Sequence, residues 1–268
     1  MAVTANPRYS EEIETAERAA REAGSIIMDL FKGNYDVQEK SKNNPVTSAD
    51  LAANRKICEI IRGSFPRDGW LSEEDEDSSE RLRASRVWVI DPIDGTKEFI
   101  EGVPQFAVSI GFVVDGRPQV AVVFNPAQDH FYQAAAGQGA TLNGQPIHVT
   151  PRDQIDGARL LVSRSEPRKR FQVFVDRCAI EPVGSIAYRL AQVAGGKGDG
   201  TLTFRSIREW DVCAGVLMVE AAGGSVVDGN GQVLVFNQPE ARHRGVVAAN
   251  PVLAKGLQGL WAKAMAEQ

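Results

Sequence analysis

Apolar positions recur at near-helical spacing over residues 8–32, where Ile13, Ala16, Ala20, Ala23, Ile27, Leu30 and Phe31 fall on one face. The pattern predicts an amphipathic helix stopped by Gly33 and Asn34. The polar, lysine-rich "DVQEKSKNNP" that follows predicts a mobile loop or a hairpin. A second helix is expected from Thr47 to about Gly63, with Thr47 as N-cap and Asp50 completing a capping box. The period then changes. "FAVSIGFVV", "QVAVVFNP" and "FYQAAAG" are short β-type runs separated by "DGRP", "NPAQD" and "GQGATLNGQP", as in an antiparallel meander. From about residue 155 strands and helices alternate. "ARLLVS", "GTLTF", "GSVVD" and "GVVAAN" read as strands; "GSIAYRLAQVAGG", "EWDVCAGVLMVEAAGG" and residues 251–266 read as helices. The expected organisation is an α+β part over residues 1–150 and an α/β part over residues 151–268, packed tightly with no repeats and no low-complexity linker.

Composition narrows the class of protein. Hydrophobic residues make up 43% of the 268 and charged residues 24%, enough to bury a sizeable core. A net charge of −5 argues against a general nucleic-acid surface, but it leaves room for a phosphorylated small molecule whose charge metal ions bridge to an acidic site. Cys58, Cys178 and Cys213 are odd in number and far apart, which reads as reduced thiols rather than a disulfide framework or a zinc site. His130, His148 and His243 are equally scattered, against a His-ligated metal or a Ser/His/Asp triad. The N-terminal residues lack the basic and apolar regions of a signal peptide, and no apolar run approaches the roughly 20 residues that span a bilayer. A cytoplasmic protein without membrane contact is expected.

The chemistry concentrates in "WVIDPIDGTKEFIEG", residues 88–102. An apolar strand ends at Asp91, Pro92 biases that residue towards an extended conformation, and Asp94-Gly95-Thr96 opens a short helix, "TKEFI". Two hard oxygen ligands thus stand beside N–H groups at a helix start, a combination that suits Mg²⁺ and a phosphate. An Asp-Pro turn with Asp94 as N-cap would use the same residues. Other carboxylates also sit at element ends: Glu73 and Glu74 in "WLSEEDED", Asp50 in "NPVTSAD" and Asp211 in "EWDVCAG". Asp50 and Asp211 can each serve as a helix cap, and Asp75 to Glu80 read as a solvated acidic loop. Convergence of these separate acids on one cleft would build a multi-metal phosphatase site.

"WVIDPIDGTKEF", "SEE", "PVTSAD" and "EWDVCAGVLMVEAAGG", in this order and over nearly the whole chain, resemble the inositol monophosphatase superfamily. The resemblance implies a layered αβαβα sugar-phosphatase fold and a Mg²⁺-dependent, lithium-sensitive phosphomonoesterase holding two or three ions. It implies that Glu73, Asp91, the carbonyl of Ile93, Asp94 and Asp211 ligate metal, and that Gly95 and Thr96 cradle the phosphate. Glu73, with the Asp50–Thr96 pair, would position and deprotonate a water that attacks in line, without a phosphoenzyme. Asn44 departs from the acidic residue that many inositol phosphatases carry before "VT", which weakens a further metal site or alters loop closure. Homodimers are common in the family.

The substrate branch is carried by fewer residues. "DGTKEF" and "SRSE" resemble the 3′(2′),5′-bisphosphate nucleotidase branch, whose substrate is adenosine 3′,5′-bisphosphate. Lys97 and Glu98 could equally form a solvated helix face. Arg205 falls near a position where inositol phosphatases often carry an acid, and it would suit a second phosphate. Tyr188 stands where the nucleotidases commonly have lysine, and Ser185 could contact a ligand in either branch. An inositol or other sugar phosphate is the alternative substrate, and a metal-binding scaffold without activity is a third reading.

Overall fold

The computed structural model describes residues 8–31, 33–41 and 44–266, apart from the side chains of residues 40, 41 and 44. The amphipathic N-terminal stretch forms α1, Ser10–Phe31, and buries Ala16, Ala19, Ala20, Ala23 and Ile27. Of the hairpin expected in "DVQEKSKNNP" the described residues form the two strands, β1 (Val37–Ser41) antiparallel to β2 (Asn44–Thr47). The Asn44 side chain lies outside the described residues. Thr47 then caps α2 (Ser48–Ser64) through the expected capping box with Asp50.

A seven-stranded sheet follows, in the spatial order β3 (Gly69–Ser72), β4 (Arg86–Asp94), β5 (Ala107–Val114), β6 (Arg117–Asn125), β7 (His130–Ala135), β8 (Gly139–Leu142) and β9 (Gln145–Pro146). Only β3 and β4 run parallel; the remainder is the predicted meander. The short helix α3, Thr96–Ile100, leaves the end of β4. A second sheet of five strands has the order β11-β10-β12-β14-β13, from β10 (Arg159–Ser163), β11 (Ala179–Val183), β12 (Gly200–Arg208), β13 (Ser225–Val227) and β14 (Arg242–Ala249). Helices α4 (Gln172–Val175), α5 (Ile186–Ala194), α6 (Glu209–Ala221) and α7 (Pro251–Ala266) connect and cover these strands.

Side-chain alternation sorts the elements into layers. On β4, Trp88 and Ile90 face α1 and α2, while Val87 and Val89 face the opposite core with α5 and α6. Because both faces are buried, β4 reads as a continuous apolar run rather than an alternating one. The second sheet repeats the device. Leu161, Val246 and Ala248 join the α5/α6 core, and Leu160, Val162, Val247 and Ala249 pack against α7. The result is the αβαβα order. Helix α6 lies between the sheets and, between its acidic first turn and Glu220, is apolar all round, as a doubly covered helix must be. A Cβ on Gly111 of β5 would stand 2.6 Å from Cys213 Sγ, so only glycine lets α6 lie this close to the strand. Cys58, Cys178 and Cys213 are free thiols. Among the described residues no helix is long and apolar enough to cross a membrane.

Strand β4 does not stop at Asp91 as its sequence suggests but continues to Asp94. Strands β3 and β11 and helix α4 had no sequence signal beyond short apolar stretches. Four- and five-residue elements carry too few positions to express a period.

Candidate functional site

The acidic stretch is shaped by an irregularity in β4. Asp91 pairs with Ser109 and Asp94 with Ala107, so three steps on β4 oppose two on β5. Pro92 has no N–H to give to the ladder, and the bulge redirects the two aspartates. Asp91 is 1% exposed and accepts the Ile93 N–H at 3.0 Å. Gly95 takes φ 101°, and a Cβ there would lie 3.0 Å from the Gln105 carbonyl oxygen, so the turn into α3 requires glycine.

Thr96 ties three elements together. Its hydroxyl lies 3.0 Å from Asp50 Oδ1 and 3.1 Å from the Ile93 carbonyl oxygen. A hydroxyl has one proton to give, and a carboxylate is the stronger acceptor, which leaves the carbonyl free to meet a cation. Asp50 Oδ2 accepts from the Thr47 N–H at 2.7 Å and from the Thr47 hydroxyl at 2.6 Å. The capping role of Asp50 and its link to Thr96 therefore use different oxygens of one carboxylate. Burial pushes the Asp50 carboxyl up, opposed by the bonds from Thr47 and Thr96.

Glu73 follows β3, and Asp211 sits in the first turn of α6, where its Oδ2 accepts the Arg208 N–H at 3.0 Å. Glu73, Asp91 and Asp211 each bring one carboxylate oxygen into a group whose members lie within 4.8 Å of one another. Burial first, then repulsion from Glu73, Asp94 and Asp211, pushes Asp91 well above the carboxylate range. Burial, Asp94 and Glu73 do the same to Asp211. Hard oxygen donors gathered at this spacing and destabilised by their own charge fit a divalent cation, which would remove the repulsion. Asp94 stands outside that trio. Its Oδ2 accepts from the Ser185 hydroxyl and the Ala187 N–H, both at 2.6 Å, at the start of α5. Burial raises Asp94, and these bonds oppose the rise.

These residues line a cleft of about 530 Å³, together with Lys97, Arg208, Trp210 and Arg242. A second cavity of about 240 Å³ adjoins it, sharing Asp94, Gly95, Glu98 and Asp211 and adding Ser163, Ser165, Ser185, Arg189, Thr203 and Arg205. Ser185 lines this cavity, but its hydroxyl proton goes to Asp94 and its oxygen accepts the Tyr188 N–H at 3.0 Å. Arg205 is exposed and donates to the Ser165 carbonyl at 2.7 Å. Tyr188 lines neither space; it is buried, with its hydroxyl 2.7 Å from His130 Nδ1. Glu166 of "SRSE" is buried beneath β12 and accepts from the Thr203 hydroxyl and the Phe204 N–H.

The solvated-face reading of Lys97 and Glu98 holds for Lys97 alone. Glu98 is buried and pairs with Arg164 at 3.3 Å, because α3 is packed against the segment leading into α5. Asp75 and Asp77 are exposed as expected, but Asp75 accepts from Asn54 and Trp70, and Asp77 pairs with Arg81. Arg208 and Arg242 escaped the sequence reading. They face each other in register across β12 and β14, a pairing that no local spacing announces.

The chain matches the model of the inositol monophosphatase family over residues 8–268. "Nus factor SuhB" of Salmonella typhimurium LT2 is 34% identical over 258 residues, covering 90% of this chain and 92% of its own. "Inositol monophosphatase" of Mesembryanthemum crystallinum is 31% identical over 264 residues, covering 94% and 96%. The solved structure of the Thermotoga maritima IMPase superposes with a TM-score of 0.86 at 27% identity, over 96% of this chain and 99% of its own.

Proposed function

The chain belongs to the inositol monophosphatase family of metal-dependent phosphomonoesterases, and from that premise we propose that its acidic cleft hydrolyses a 3′(2′),5′-bisphosphorylated nucleoside at the 3′-ester. The observation that carries the reading is the adjoining cavity, which sets two arginines beside the cleft that would hold the scissile phosphate. The "DGTKEF" sequence adds support.

In this reading Glu73, Asp91, the Ile93 carbonyl, Asp94 and Asp211 hold two or three Mg²⁺ ions. When bound, magnesium supplies Lewis acidity and neutralises charge on the phosphate and the leaving oxygen. The N–H groups of Gly95 and Thr96 donate to phosphate oxygens, since the first turn of α3 has no internal acceptors for them. Glu73 and the Thr96–Asp50 pair orient the attacking water and take its proton. Residues 1–150 contribute most of the acids, and residues 151–268 contribute Asp211 and the leaving-group contacts. Inhibition by lithium, a homodimer and a cytoplasmic location go with this reading.

A second reading, an inositol or sugar monophosphate as substrate, is favoured by the name of the plant relative. Comparing kcat/KM for adenosine 3′,5′-bisphosphate, inositol 1-phosphate and fructose 1,6-bisphosphate separates the two. The nucleotide is expected to be fastest, and a preference of about tenfold or more for the inositol ester would overturn it. Absence of magnesium-dependent phosphate release from any of the three would favour a scaffold without activity.

A further inference from the structure

Arg189 is the buried guanidinium at the cavity, and among the described residues no carboxylate bonds to it directly. It lies on α5, is 3% exposed and lines the 240 Å³ space beside the acidic cleft. Among the described residues its only side-chain hydrogen bond runs from Nη1 to the Val183 carbonyl at 2.9 Å, and its buried Nε–H has no acceptor. Among the described residues no carboxylate oxygen lies within the 4.0 Å of an ion pair with it. The three acids whose charges act on it make their bonds elsewhere: Asp94 to Ser185 and Ala187, Glu98 to Arg164, and Glu166 to Thr203, Phe204 and Arg170. Arg205, by contrast, is exposed and tied to the Ser165 carbonyl at the cavity mouth.

An arginine stays protonated, so a buried one needs an anion or a set of strong acceptors. A neutral polyol entering the cavity would leave the guanidinium without a directly bonded anion. We propose that Arg189 receives a second anionic group, a phosphate or a carboxylate, carried by the leaving-group portion of the substrate. The Nε–H and an Nη–H form the fork that such a group accepts. The position fits this role, because the cavity and the cleft share Asp94, Gly95 and Asp211. One molecule can therefore present its scissile phosphate to the acids and its second anion to the arginine. The inference rests on the cleft being the site of phosphate ester hydrolysis but not on the substrate being a nucleoside.

The test uses matched pairs that differ only in the second anion: adenosine 3′,5′-bisphosphate against adenosine 3′-monophosphate, fructose 1,6-bisphosphate against fructose 1-phosphate, and 2-phosphoglycerate against glycerol 2-phosphate. The readout is the ratio of kcat/KM within each pair. A general loss of structure lowers both members and leaves the ratio unchanged. The wild type is expected to prefer the doubly anionic member of at least one pair, and Arg189→Gln to lower that ratio about tenfold to a hundredfold. Arg189→Lys keeps the charge without the fork and should lower it by an intermediate factor. Arg205→Gln should lower it by less than about threefold, since its charge is solvent-screened. The sugar or carboxylate pair responding while the adenosine pair does not would refute the nucleoside and uphold Arg189. An adenosine preference insensitive to Arg189 would do the opposite. The inference is overturned if the wild type shows no preference in any pair, or if the ratio is unchanged in whichever of Arg189→Gln and Arg189→Lys melts like the wild type.

Discussion

The acidic cleft and the arginine cavity share a boundary at Asp94, Gly95, Glu98 and Asp211, yet beyond it one adds the carboxylates Glu73 and Asp91 and the other adds the buried guanidinium of Arg189. In the cleft, Glu73, Asp91 and Asp211 crowd their oxygens together and repel one another. In the cavity, Arg189 sits buried while the neighbouring carboxylates bond to other groups. The crowded carboxylates suit a cation, and the buried guanidinium suits an anion. A phosphate ester with a further acidic group, bound together with magnesium, would supply both. Asp94 is the joint, since α5 fixes its Oδ2 while the residue lines both spaces.

The harshest way to break the comparison is at this joint. Asp94→Asn should lower phosphate release by about 10³-fold or more, with a melting temperature within a few degrees of the wild type. An asparagine oxygen can still accept from Ser185 and Ala187, so the fold survives while the charge is lost. Near wild-type turnover would remove Asp94 from the metal set. On the cleft side alone, Thr96→Val should lower kcat by about 10²-fold, and Thr96→Ser, which keeps the hydroxyl beside Asp50, should stay within about tenfold of wild type.

The charge imbalance of the cleft also has a signature in stability. Asp91 is raised in the folded protein, so its ionised form destabilises the metal-free fold above the raised value. That penalty is relieved as pH falls through the folded value and is gone below the ordinary 3.8. Asp91→Asn should therefore raise the melting temperature of the chelated protein near about pH 8, by an amount that shrinks as pH falls. With Mg²⁺ present the order should reverse, because the wild type alone binds the ion fully. An Asp91→Asn protein less stable than wild type in chelator at high pH would contradict the repulsion. The smallest effect belongs to the support behind the cleft. Thr47→Ala removes the α2 cap and should cost about 1 kcal/mol in denaturant unfolding, with a modest fall in kcat.

The two regions also differ in how far the sequence discloses them. Asp91, Asp94, Gly95 and Thr96 stand within six consecutive residues, and proline and glycine dictate their local backbone, so their chemistry can be read directly. Asp50 and Asp211 are legible as first-turn helix residues, and the capping box at Thr47 forms as its spacing predicts. Helices α1 and α2 are legible because their apolar periods persist over many positions, and the meander because turn residues separate its apolar runs. Arg189 is not legible. In "GSIAYRL" it looks like any helical arginine, and only the packing of α5 between two sheets buries it. Arg242 lies beyond the long connection after β13, and strand pairing alone brings it to the cleft. In the sequence Glu98 reads with Lys97 as a solvated helix face; its burial depends on Gly184, where a Cβ would stand 2.4 Å from the Glu98 side chain.

Magnesium dependence of phosphate release tests the central claim most directly. Inorganic phosphate is measured from adenosine 3′,5′-bisphosphate, inositol 1-phosphate and fructose 1,6-bisphosphate, in chelator and after Mg²⁺ is restored, for the wild type and for Asp91→Asn. The expected result is release by the wild type that vanishes in chelator, returns with Mg²⁺ and stays near background in Asp91→Asn. Release that persists in chelator, or that Asp91→Asn sustains at the wild-type rate, would contradict an acidic cleft built for the metal.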